Sequence, residues 1–181
     1  MKSCLSDAPV ERPPQGPGIV ISDDRDLPDR RRHEDGCRGT IERDVQRLIN
    51  DEREKVGARR LRSSRTLTAS AGAWSLLMAV TATIAHVVDG IEALPEFARH
   101  GYSRYAGIGQ NCAGGQVTPA EVVAGWMASP GHRSTMLNPL YRACGVGYVD
   151  AGADDSWQRY WTLNVGSVAD GVAPLCTGGE V

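Results

Sequence analysis

Residues 66–88 (TLTASAGAWSLLMAVTATIAHVV) contain no Asp, Glu, Lys or Arg, and this stretch constrains the fold more than any other. Its 23 residues are enough to cross a bilayer, and arginines at 59, 60, 62 and 65 stand where a positive-inside flank would. One reading is therefore a membrane-anchored protein with residues 66–88 spanning. Against it, six of the 23 are Ser or Thr, His86 and Gly72 interrupt the rest, and few large apolar residues remain. A buried amphipathic helix from about Leu67 to Thr83 accounts for the same letters and is the preferred reading.

Charge is distributed unevenly around that stretch. Of 20 basic and 22 acidic residues, 15 and 13 lie in residues 1–65, leaving a sparsely charged, Gly- and Ala-rich remainder. The net charge of −2 excludes a nucleic-acid binder driven by whole-chain charge. Residues 1–38 read as a disordered tail: PVERPPQGP cannot form a helix interior, and DDRDLPDRRRHEDG has almost nothing apolar to bury. Arg30-Arg31-Arg32 sits among acids that cancel its field. A length of 181 suits one domain, over residues 39–170, with a second short tail at 171–181. Met1-Lys2-Ser3-Cys4-Leu5-Ser6-Asp7 has no apolar secretory core, so either the protein is cytoplasmic or its signal is missing from this chain.

Helix signals recur along the domain. Ile41, Val45, Leu48, Ile49 and Val56 repeat at helical spacing behind Thr40, a cap residue, and Gly57 suits the stop. The stretch GIEALPEFARHGY reads as a short helix broken near Pro95, and AGIGQNCA as a short strand or loop. Thr118-Pro119-Ala120-Glu121 is a capping box with Pro at the first helical position. Ser129-Pro130-Gly131-His132 opens another helix, with Ser129 as cap, ending at Asn138-Pro139. Two strands follow, Cys144–Val149 and Arg159–Val165, joined by turn formers; Trp161, Leu163 and Val165 alternate with Tyr160, Thr162 and Asn164. The order implies an α+β domain with helices over a small, largely antiparallel sheet.

Few residues mark chemistry by spacing. No GxSxG, HExxH, CxxC or GK[ST] pattern is present. His33 and His100 read as solvated, and the glycines of Gly107-Ile108-Gly109 do not open a phosphate loop. His86, ending the uncharged stretch, and His132, in a first helical turn, stand out; spacing alone favours structural histidines over ligands.

The string Glu121–Leu137, EVVAGWMASPGHRSTML, followed by Asn138-Pro139, resembles the CAP superfamily (cysteine-rich secretory proteins, antigen 5, pathogenesis-related proteins), in its bacterial SCP-like extracellular branch. Other pieces agree in order: Leu48-Ile49-Asn50-Asp51-Glu52-Arg53 with LVNxER, Ala85-His86 and Asp89-Gly90 with FSH…DG, and Gly109-Gln110-Asn111 with GEN. Gly145-Val146-Gly147-Tyr148 and Tyr160-Trp161-Thr162 are similar to its final hairpin. The resemblance implies an α-β-α sandwich and a cleft where two histidines and acidic residues gather, able in some members to hold zinc. On that correspondence His86 and His132 are the cleft histidines and candidate zinc ligands, and Tyr160 joins the cleft. The GEN carboxylate falls on Gln110, an amide without useful basicity. If their strands are neighbours, Cys112 and Cys144 can form a disulfide. Cys37 and Cys176 flank the domain and can tie its ends. The expected function is a non-enzymatic domain, secreted or at the cell surface, whose cleft binds a lipid, cell-wall glycan or protein. The alternative is a zinc-dependent, peptidase-like hydrolase using the same cleft.

Overall fold

The computed structural model describes residues 40–170 and the two-residue strand Lys2–Ser3. The tails expected at 1–38 and 171–181, with Cys37 and Cys176, otherwise lie outside the described residues.

Helix α1 (Thr40–Lys55) turns Val45 and Ile49 inward and ends where Gly57 and Ala58 donate back to the carbonyls of Glu54 and Arg53. Asn50 on α1 acts like a piece of strand: its amide bonds both the N–H (2.7 Å) and the C=O (3.1 Å) of Leu61. That bond leads the chain into β2 (Arg62–Ser63), a short strand inside the basic linker. Ser64 caps α2 (Arg65–Val80), its hydroxyl accepting from the Leu67 N–H at 3.0 Å. Strands β3 (Val87–Val88) and β4 (Ile91–Glu92) form a small hairpin around Asp89-Gly90, both at positive φ (48° and 78°). Helix α3 (Ala93–Arg99) runs through Pro95 unbroken, because a proline in the first turn displaces no helical hydrogen bond. Then come β5 (Ile108–Gly114), α4 (Pro119–Ala128), α5 (Pro130–Leu137), β6 (Ala143–Asp150) and β7 (Arg159–Gly166). The capping box of α4 is formed, with Glu121 Oε2 accepting from Val117 N–H (2.7 Å) and Thr118 N–H (3.3 Å). Ser129 stands at the start of α5, but its hydroxyl makes no cap hydrogen bond, correcting the role expected for it.

With Lys2–Ser3 as β1, the main sheet runs β1-β5-β7-β6-β2, antiparallel except for the parallel β2–β6 pair. One face packs on α1, α4 and α5 through Val45, Ile49, Val122, Trp126, Met136, Trp161, Leu163 and Val165. The other packs on α2. The architecture is the expected α-β-α sandwich.

The uncharged stretch is core, not a membrane span. Helix α2 ends at Val80 after 16 residues and lies along β6 and β7. No described helix is long and apolar enough to cross a membrane. Its composition follows from the face it covers. Tyr160, Thr162 and Asn164 form the polar side of β7, and α2 meets it with serines: Ser75 Oγ donates to Thr162 Oγ1 (2.8 Å), and Asn164 Nδ2 donates to Ser70 Oγ (2.8 Å). Beside them Gly145 and Gly147 let the backbones touch, since a Cβ would fall 2.1 Å from the Leu67 carbonyl carbon or 2.2 Å from the Ala71 oxygen. Charged side chains have no place in that contact.

The same sheet order corrects the Cys112–Cys144 pairing. Strand β7 separates β5 from β6. Cys112 faces α2 opposite Thr162, whereas Cys144 packs on the other face with Val146 and Val165. Both are buried thiols with no bond between them.

Candidate functional site

After α2 the chain turns back across the start of β3, and Trp74 of α2 holds it there by donating to the Ala85 carbonyl at 3.0 Å. His86 follows and is exposed. Its Nδ1 lies 2.9 Å from Oε1 of Gln110, which is 8% exposed in the middle of β5.

That contact is the end of a chain of hydrogen bonds whose direction is fixed at its far end. The Leu67 carbonyl can only accept, so Ser70 Oγ gives it a proton (3.2 Å) and accepts from Asn164 Nδ2. Asn164 Oδ1 then accepts from Gln110 Nε2 (3.0 Å), which leaves Gln110 Oε1 facing His86. An amide oxygen only accepts, so His86 Nδ1 carries a proton and, in the neutral ring, Nε2 presents its lone pair. Cys112, two residues along β5 on the same face, donates to the same oxygen at 3.3 Å; its sulfur is 3.8 Å from His86 Nδ1. No member of the chain Ser70–Asn164–Gln110 titrates in the ordinary range, so it orients the imidazole without being able to take its proton.

His132 is attached to the next residue of β5. Asn111 Nδ2 donates to the His132 carbonyl at 3.0 Å, and His132 is 2% exposed. Consecutive strand residues point to opposite faces. His86 therefore meets β5 from the α2 side, and the backbone of His132 meets it from the α5 side. Tyr160 is fully buried, opposite Gly114 at the far end of β5 from Gln110. Its hydroxyl donates to Asp155 (2.7 Å), and burial followed by that bond raises its pKa strongly. It belongs to the core under α2, with Trp74 and Cys112.

Arg53, absent from the site expected from sequence, anchors the other end of the α5 side. It is fully buried and donates to the carbonyls of Arg59, Met136, Asn138 and Tyr141 at 2.6–3.3 Å. Burial lowers its pKa. Its fork ties α1 to the end of α5 and so sets the position of the helix that carries His132.

Among the described residues no three His, Cys, Asp or Glu side chains stand close enough to share an ion, and a catalytic zinc takes three protein ligands.

The family model for the cysteine-rich secretory protein family (CAP) matches residues 46–165, from α1 to the end of β7. The chain belongs to this family. The YkwD protein of Bacillus subtilis is 38% identical over 112 residues, which is 62% of this chain and 44% of that protein. This CAP domain thus spans less than half the length of the curated relative it matches. Among solved structures, an outer surface protein of Borrelia burgdorferi superposes with a TM-score of 0.61 at 20% identity, over 67% of this chain and 88% of the other. An extracellular SCP-domain protein of Bacillus anthracis gives 0.59 at 22% identity, over 69% and 39%. These two likenesses show the α-β-α fold.

Proposed function

We propose that this CAP domain is a recognition module, secreted or displayed at the cell surface, that binds a lipid, cell-wall glycan or protein ligand beside His86 and does not hydrolyse it. One observation carries the reading: the partner of the exposed imidazole is the neutral amide of Gln110, locked in direction by Asn164, Ser70 and a backbone carbonyl. A general base needs a partner that stabilises the imidazolium it becomes, and an amide oxygen does this poorly beside a carboxylate. Recognition needs only a fixed ring. The surface around it suits binding, because Val87, Ile91 and Leu94 are each at least 40% exposed on the adjoining hairpin and α3. The extracellular and outer-surface relatives support export.

Trp74, bonded to the carbonyl just before His86, is the natural reporter once Trp157, on the same side of the sheet, is replaced by Phe; Trp126 and Trp161 lie in the core on the other face. Titration with phospholipid vesicles, peptidoglycan fragments and surface proteins is expected to shift Trp74 fluorescence for one class. His86→Ala is expected to abolish the shift without loss of fold. Peptide or ester hydrolysis that disappears in His86→Ala would overturn the reading.

A further inference from the structure

Cys112 and His86 make a pair that the recognition reading does not use. The sulfur and Nδ1 are 3.8 Å apart, and Gln110 Oε1 lies 3.3 Å from the sulfur. Cys112 is fully buried among Trp74, Met78, Val88 and Tyr160, while His86 opens to solvent. We propose that this thiol–imidazole pair is a two-ligand site for a soft monovalent ion, copper(I), with silver(I) as its redox-inert stand-in.

Three features select that ion class. Thiolate and imidazole are soft and borderline donors, suited to copper(I) over calcium or magnesium. Sulfur and nitrogen bound in line to one first-row ion stand about 4.3 Å apart, from metal–ligand bonds of about 2.3 and 2.0 Å, so the 3.8 Å pair must part by about 0.5 Å as the exposed ring turns Nδ1 from Gln110 toward the sulfur. Charge decides the valence. A thiolate, a monovalent cation and a neutral imidazole sum to zero, which an apolar pocket tolerates; a divalent ion would leave a net positive charge there, with no third His, Cys, Asp or Glu to offset it among the described residues. His86 gives the ion its way in.

Binding balances simply. The Cys112 thiol releases its proton to water as sulfur bonds the ion, with no change of oxidation state. The His86 proton leaves Nδ1 and one is taken up at the exposed Nε2, so ion binding inverts the tautomer that Gln110 holds in the free protein.

Anaerobic titration of the full chain with copper(I), against a chromophoric copper(I) chelator, tests this, with silver(I) as the redox-inert check. The wild type is expected to take one ion whose affinity falls at least about tenfold in both Cys112→Ser and His86→Ala. The triple variant C4S/C37S/C176S is expected to keep it. The 15N shifts of His86 are expected to change from an Nδ1–H to an Nε2–H ring on adding silver(I). Retention in Cys112→Ser, indifference to His86→Ala, loss in the triple variant, or an unchanged His86 tautomer would each overturn the site. Should Cys112→Ser fail to fold, the exposed His86→Ala variant and the tautomer readout still decide. Ligand recognition beside His86 is measured separately without any ion, so either proposal can fail alone.

Discussion

The Nδ1 of His86 and the side-chain oxygen of Gln110 stand 2.9 Å apart, and every hydrogen bond beyond that oxygen points away from the imidazole, through Asn164 and Ser70 to the carbonyl of Leu67. The arrangement crosses from loop to sheet to helix, so it fixes the ring by tying the loop to β5, β7 and α2. It also sets the chemistry. A carboxylate at position 110 would place a charge beside the ring; the amide oxygen accepts from Nδ1 without one and leaves Nε2 outward.

Replacing Gln110 tests the structural side of that link. Gln110→Met removes the donor to Asn164 Oδ1, a residue only 1% exposed, and leaves that oxygen without its partner. The expected cost is about 1–3 kcal/mol in urea unfolding. Because Ser70 and Asn164 belong to the same network, Ser70→Ala combined with Gln110→Met is expected to cost less than the sum of the singles. Strict additivity would show that the chain is not continuous.

Arg53→Lys keeps the charge and loses the fork. A single ammonium cannot reach the carbonyls of Arg59, Met136, Asn138 and Tyr141 together. Destabilisation above about 3 kcal/mol is expected, with the end of α5 loosening first in hydrogen exchange. A near-neutral Lys variant would contradict the role given to the guanidinium.

Gly147→Ala tests the contact of α2 with the sheet. The added methyl would meet the backbone of Ala71 and Gly72, which cannot rotate away as a side chain could. A loss of about 3 kcal/mol, the upper end of ordinary overpacking, is expected in thermal or urea unfolding. A tolerated alanine would mean that α2 rides higher on β6 than described.

Much of this was legible in the sequence, and the misses share a cause. Periodicity placed α1, the capping box α4 and Pro130 the start of α5, and the alternation along Arg159–Val165 divided β7 into apolar and polar faces. That polar face, however, is buried: α2 covers it, and Ser70 and Ser75, whose polarity argues against a membrane span, are its hydrogen-bond partners. Ser70 and Asn164, separated by 94 residues, carry no local pattern that would pair them. The same holds for Arg53, whose acceptors lie mostly more than 80 residues away. The disulfide expected between Cys112 and Cys144 failed because strand order is not sequence order: β7, last in the chain, inserts between β5 and β6. The hairpin at Val87–Glu92 is the exception: its turn signal, Asp89-Gly90, is local, but its strands are only two residues each and Glu92 breaks the apolar pattern.

High pH is expected to weaken the fold through its buried phenols. Burial raises the pKa of Tyr102, Tyr141, Tyr148 and Tyr160, and the bond to Asp155 adds to the shift at Tyr160. The native state therefore keeps phenolic protons that the unfolded chain loses above roughly pH 10. This contribution is complete below that pH and is lost as pH rises through the raised folded values. Urea midpoints are expected to fall above about pH 10, less steeply in Tyr160→Phe. A flat alkaline profile would contradict the burial of these rings.

The most direct measurement is the 15N NMR spectrum of His86 in the metal-free protein, with the ring held neutral. The hydrogen-bond chain from Leu67 to Gln110 predicts a proton on Nδ1 and a bare Nε2 in the wild type, and mixed tautomers in Gln110→Met. A wild-type ring protonated on Nε2, or one indifferent to residue 110, would show that Gln110 does not set the imidazole and would remove the ground on which the recognition reading stands.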